Sequence, residues 1–139
     1  MGSPIRGRLR IALGQLDCLI VQDLFLHETA ERAHVFLPAA AFAEKDGTFS
    51  NTERRVQRVR QAIKPVGDAK EDWVIICELA KKMGASGFDF QSAKSIMEEI
   101  NKLTPSYGGI TYERLEELGS LQWPCPAVDH LGTPYLHKG

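Results

Sequence analysis

Three cysteines among 139 residues are too few and too scattered to hold this chain together covalently. Cys18, Cys77 and Cys125 are odd in number and form no C-x-x-C pair, so neither a disulfide framework nor a dithiol metal or redox motif is available. They read as reduced thiols, two of them in the core. Long apolar runs are missing too: none approaches the roughly 20 residues that a bilayer span needs. The basic stretch Met1 to Arg10 likewise lacks the apolar core of a signal peptide. The expectation is a soluble, unexported, cytoplasmic protein with no membrane span. Charge of one sign is also lacking. A formal net charge of −1, with 25% charged residues, argues against nucleic acid or an anionic membrane as the main partner, so any phosphate site must be local.

Several chemistries are absent as well. His27, His34, His130 and His137 show no i, i+4 spacing with acids that would build a zinc site. There is no G-x-S-x-G elbow, Walker loop or G-x-G-x-x-G, and no internal repeat. Glu44 and Asp46 can be drawn as an acid–base pair, but a solvated loop has the same composition. No catalytic residue and no metal ligand is assigned, and the chemistry points to binding.

What is present suffices for one ordinary domain: 43% of the residues are hydrophobic, enough for a real core. Met1-Gly2-Ser3-Pro4 has the look of an added expression start, and the chain reads as a piece of something longer. Ile5 to Gln15 fits a short amphipathic helix ended by Gly14. Leu19-Ile20-Val21 is a continuous apolar run closing on Gln22-Asp23, the pattern of a parallel strand buried on both faces. Ligands of open α/β sheets bind beyond the carboxyl ends of strands, which puts Gln22 and Asp23 where a ligand is met. Asp23 reads equally well as the N-cap of the helix expected over Leu26 to Ala33. Val35-Phe36-Leu37-Pro38 is a second buried strand, parallel and adjacent to the first, completing a βαβ unit.

The polar stretch Ala43 to Arg55 then joins two ordered elements. Gly47 is expected to supply a turn at positive φ, and Asn51 and Thr52 to bond their own backbone. Lys45, Arg54 and Arg55 bring enough positive charge for a phosphate, although a solvated loop is the plainer reading. Val56 to Arg60 alternates like a half-buried strand. Asp72 opens a helix whose inner face is Trp73, Ile76, Cys77, Leu79, Ala80 and Met83, and serves it as N-cap or first-turn acid. Ser92 to Leu103 is a further amphipathic helix stopped by Pro105, and Thr111 to Leu118 a short one, with Trp123-Pro124-Cys125-Pro126 rigid and extended. The expected fold class is α/β, a small, mostly parallel sheet flanked by helices over 1–104, followed by an extended C-terminal tail with one short helix over 105–139.

Particular runs carry more than periodicity. Leu19-Ile20-Val21-Gln22-Asp23-Leu24-Phe25, Leu37-Pro38-Ala39-Ala40 and above all Ala43-Glu44-Lys45-Asp46-Gly47-Thr48-Phe49-Ser50-Asn51-Thr52-Glu53-Arg54-Arg55-Val56-Gln57 resemble the molybdopterin oxidoreductase family. Asp72-Trp73, Pro105-Ser106-Tyr107-Gly108-Gly109-Ile110 and Leu121-Gln122-Trp123-Pro124-Cys125-Pro126 look most like the catalytic α subunit of formate dehydrogenases. The resemblance covers nearly the whole chain but only an internal part of that subunit. It implies a domain of dinucleotide-binding topology that clasps one guanine dinucleotide arm of a bis-molybdopterin guanine dinucleotide (bis-MGD) cofactor carrying molybdenum or tungsten. It implies cofactor-binding roles for Gln22, Asp23, Lys45 and Asp72. The reaction implied for the complete enzyme is oxidation of formate to carbon dioxide with transfer of two electrons, and the isolated piece is expected to be inactive. The partners implied are the remainder of the α subunit and electron-transfer subunits, with the iron–sulfur cluster, metal ligand and active-site arginine elsewhere. The equivalent domain of another member, such as a nitrate reductase, or a ligand-free scaffold or interaction domain, is the alternative. The chain departs from the family pattern at His27 and His34, where many relatives carry a small hydroxyl residue and an Asp.

Overall fold

The two apolar runs form β1 (Ile20–Asp23) and β2 (Val35–Pro38) of the computed structural model, which describes residues 4–137. The strands pair parallel, in register from Ile20 against Val35 to Asp23 against Pro38, as the βαβ reading requires. Two features differ. The crossover closes only as a 3₁₀ turn over Ala30–Arg32, because the His27 side chain accepts the Thr29 and Ala30 N–H groups and so competes with a helical ladder. The strands are also less buried than a doubly covered pair, with Ile20 49% and Val35 43% exposed, since no second layer among the described residues covers both faces. The first helix, α1 (Pro4–Leu13), ends before Gly14 as expected and is tied to the crossover by an ion pair from Arg10 to Glu28. Leu9 and Ile11 on it are exposed. Met1 to Ser3 of the expected added start lie outside the described residues.

Of a second sheet, only the strand over Val56 to Arg60 was read in the sequence. The polar stretch after β2 contains a strand, β3 (Gly47–Ser50), which forms an antiparallel hairpin with β4 (Arg55–Val59). β5 (Ser120–Gln122) adds antiparallel to the other side of β4. The order is β3-β4-β5, separate from the β1-β2 pair. The turn is built by Asn51, whose Oδ1 accepts the Arg55 N–H at 3.0 Å. Gly47 lies in the strand, and the left-handed conformation falls to Arg54 at φ 64°.

Three helices complete the domain: α2 (Asp72–Lys82), α3 (Ala93–Leu103) and α4 (Tyr112–Leu118). Ser92 caps α3 by accepting the Ser95 N–H, Thr111 caps α4 by accepting that of Arg114, and Gly119 at φ 74° ends α4. The core gathers Val56 and Met97 with Ile110, Tyr112, Leu115, Leu121 and Cys125, the last five all from 105–139. That stretch is therefore built into the sheet and core, with an extended course only beyond β5. Cys77 and Cys125 are buried and Cys18 is exposed.

Close packing explains Gly109 in this segment: a Cβ there would collide with the Ala127 carbonyl and crowd the Cys125 sulfur. Leu115 is 1% exposed, so Leu115→Ala is expected to lower stability by about 2–5 kcal/mol. Leu131, at 86% exposure, should change it by no more than about 0.5 kcal/mol on replacement by Ala. Urea unfolding of the two variants checks the assignment of the core, and equal losses would refute it.

Candidate functional site

Backbone pairing brings three distant stretches to one place. After β2, Ala40 N–H bonds the Lys70 carbonyl at 2.8 Å and Lys70 N–H bonds that of Pro38 at 3.1 Å, so the approach to α2 runs beside the exit from β2. The first turn of α2 thereby lies next to the carboxyl end of β1. The second stretch is positioned by the 3₁₀ turn Phe42–Glu44, where the Glu44 carboxylate accepts the Ala41 N–H at 2.8 Å. The Ala43 carbonyl takes the Ala62 and Ile63 amides, and Lys45 follows directly.

Asp72 is the residue these stretches share. Its Oδ1 accepts the Gln22 side-chain amide at 2.7 Å, and its Oδ2 accepts the Lys45 ammonium. Asp72 is a first-turn acid; the N-cap position belongs to Glu71, which makes no side-chain cap bond and accepts the Trp73 indole N–H at 2.5 Å. Freed from capping, the Asp72 side chain points at the other two. Partial burial pushes its carboxyl up, but the hydrogen bonds from Lys45 and Gln22 outweigh that and hold it below its ordinary 3.8. The amino end of α2 favours the same charged form.

The cluster stands at the mouth of a cleft of about 250 Å³. Lys45, Asp46 and Asp72 make its polar end, and Phe49, Val59, Trp73, Ile96, Met97, Ile100 and Tyr112 make apolar walls. A concave apolar space with a few convergent polar groups at one end is the usual form of a small-molecule site. The walls went unread in the sequence because they come from five separate elements; only their helical and strand periodicity was visible.

Asp23 stands apart from this cluster. Its Oδ1 accepts the Leu24 N–H at 2.6 Å and the Phe25 N–H at 3.4 Å, and its Oδ2 meets His27 Nε2 at 3.1 Å. It closes a local turn and caps no α-helix. Leu24 N–H, His27 and Phe25 N–H, in that order, hold its carboxyl below its ordinary value. Among the described residues it makes no hydrogen bond to Gln22, Lys45 or Asp72. Arg54 and Arg55, the other cations of the polar stretch, have structural partners. Arg54 donates to the carbonyls of Trp123, Thr133 and Pro134, and Arg55 to Glu53 and Ser120.

Comparison with known proteins defines the class. The chain matches the molybdopterin oxidoreductase family over residues 6–82, more than half its length, and it belongs to that family. Among curated relatives it is 55% identical over 128 residues to the F420-dependent formate dehydrogenase subunit alpha of Methanocaldococcus jannaschii, covering 91% of this chain and 19% of that protein. It is 54% identical over 125 residues to the probable oxidoreductase YjgC of Bacillus subtilis, covering 90% of this chain and 12% of that one. A putative formate dehydrogenase of Staphylococcus haemolyticus is 51% identical over 126 residues, with 91% and 13% covered. The chain thus spans a fifth or less of the relatives it matches. Acetylene hydratase from Pelobacter acetylenicus superposes with a TM-score of 0.66 over 96% of this chain and 22% of its own, at 18% identity, a likeness of fold alone.

The lowered Asp72 carboxyl has a pH signature. A group depressed in the folded state stabilises above its unfolded value and loses that contribution as pH falls through the folded one. The stability gap between the wild type and Asp72→Asn is expected to be level from pH 7 to about 5 and to close below about pH 4. Urea unfolding across that range tests it; a gap unchanged at the acid end would show that Asp72 acts by packing alone.

Proposed function

We propose that this chain serves, in a complete molybdenum- or tungsten-dependent formate dehydrogenase, as the part of the catalytic α subunit that clasps one guanine dinucleotide arm of a bis-MGD cofactor. The observation that carries the reading is that Gln22 from the β1 end and Lys45 from the Glu44-Lys45-Asp46-Gly47 stretch both bond Asp72 in the first turn of α2, and that Lys45 and Asp72 line one cleft. The donor set fits such an arm in chemical kind. Asp23 is an ionised carboxylate with its side chain 41% exposed, able to accept the paired N–H groups of a guanine edge. Lys45 supplies a point charge for a pyrophosphate oxygen. Gln22 offers an amide that can donate or accept, and Asp72 holds both Gln22 and Lys45 in place.

When bound, the cofactor supplies the metal centre for two-electron oxidation of formate to carbon dioxide. The residues of this chain bind and orient; none is assigned to the reaction itself. In this reading the binding groups all lie within 1–104, and 105–139 braces the β3-β4 hairpin beside which they sit. The rest of the α subunit, its iron–sulfur cluster and electron-transfer subunits complete a cytoplasmic enzyme. The names borne by the relatives favour formate dehydrogenase over a nitrate reductase or a ligand-free scaffold.

The test is occupancy of the complete enzyme. Asp23→Ala is expected to lower metal and pterin content severalfold, through loss of a charge-assisted pair, and Lys45→Ala more mildly, both with the fold preserved. Metal and pterin analysis of the purified variants decides it. Full occupancy and unchanged activity in both would leave these residues as ordinary turn and loop residues.

A further inference from the structure

Both ring nitrogens of His27 are occupied, and their partners decide which one carries the proton. Nδ1 lies 3.2 Å from the Thr29 amide nitrogen and 3.4 Å from that of Ala30. Both amides are donors, so Nδ1 is the unprotonated acceptor and the proton sits on Nε2. Nε2 then donates to Asp23 Oδ2 at 3.1 Å, while Leu24 and Phe25 N–H groups bind Oδ1 from the other side. The carboxylate is held at both oxygens and its plane is set. One short and one long bond on Oδ1, and a single bond on Oδ2, occupy three of about four lone-pair sites, which leaves one on Oδ2 and the weakly held 3.4 Å Phe25 position on Oδ1 for a pair of incoming donors. A neutral imidazole also leaves the negative charge intact, where a Lys or Arg in its place would cancel it.

We propose that His27 is a positioning residue for Asp23, fixing the strand-end carboxylate in the orientation that receives the paired N–H edge of a guanine base. The proposal rests on the dinucleotide reading above and adds to it a residue to which that reading assigns no role. A purely structural alternative exists for the same side chain, because Nδ1 closes the turn at Thr29 and Ala30. Two substitutions separate the roles. His27→Asn keeps a short acceptor for those amides but does not reach Asp23; His27→Gln places an amide N–H near the position of Nε2 and gives up the turn acceptor.

The experiment uses the complete enzyme and measures guanine nucleotide released per subunit on denaturation, metal content and melting temperature. Positioning predicts that His27→Gln retains cofactor within about twofold of wild type and that His27→Asn loses it severalfold, by no more than Asp23→Ala does, without a fall in melting temperature. It also predicts that adding His27→Asn to Asp23→Ala lowers occupancy no further, because the two act as one unit. The reverse order of the two His27 variants, or an additive loss in the double variant, overturns the proposal while leaving the dinucleotide reading in place. Full nucleotide content in Asp23→Ala itself overturns that reading and the proposal with it.

Discussion

The Asp72 carboxylate is where three separate stretches of chain meet, and the site depends on that meeting. The parallel β1-β2 pair and the antiparallel β3-β4-β5 sheet share no strand, so no ladder of hydrogen bonds sets one against the other. What joins them locally is the short pairing of the β2 exit with the approach to α2, together with the bonds from Gln22 and Lys45 to Asp72. With side-chain exposure of 22% for Lys45 and 44% for Asp72, the ion pair is screened, and such pairs contribute about 0–1 kcal/mol. Its importance is positional. One acid at the start of a helix fixes where a strand end and a loop stand relative to that helix.

Elsewhere arginine does for irregular chain what β-ladders do for regular chain. Past β5 the backbone has carbonyls with no strand partner, and buried carbonyls must be paired. Arg54 gathers those of Trp123, Thr133 and Pro134, and Arg114 those of Ala127 and His130 together with that of Gly109 ahead of α4. A planar fork of five donors suits this better than a lysine does. The left-handed backbone of Arg54 is held in a hairpin turn closed by two bonds between Asn51 and Arg55, one of them donated by the Arg55 N–H to the Asn51 side-chain oxygen. A third arginine, Arg58, lies 3.8 Å from the centre of the Tyr112 ring and joins the sheet to α4.

These pairings explain how much was legible in the sequence. The parallel strands were visible because each is an unbroken apolar run, and the helices because their periods are long enough to register. β3 was hidden: Thr48-Phe49-Ser50 has one large apolar residue, half exposed, inside an otherwise polar stretch. β5 is three residues long and pairs with a strand far from it in the chain, a relation no local pattern encodes. The same limit explains the arginines. Arg54 and Lys45 look alike as cations in one polar stretch, and only the folded position of residues 123–134 separates a carbonyl clamp from a cation at a cleft. Gln22, Lys45 and Asp72 were each singled out, but their contact across 50 residues of sequence separation for Gln22 and Asp72 is a product of the fold.

The exposure of the Lys45–Asp72 pair also bears on how a ligand enters. A deeply buried pair resists separation, since removing one partner leaves an unpaired charge at a cost of about 3–5 kcal/mol. At the mouth of the cleft, water screens both groups, so parting them costs about as little as their pairing contributes. In the proposed reading an incoming pyrophosphate competes with Asp72 for the Lys45 ammonium, and Asp72 keeps the Gln22 amide on Oδ1. Losing the ammonium leaves the Asp72 carboxylate without a cation, at a small cost because its side chain is 44% exposed and screened by water. In the same reading Asp23 needs no such exchange, because its partners are a local turn and a neutral imidazole that leave part of its acceptor capacity free. One end of the proposed site is thus held ready and the other is released on binding.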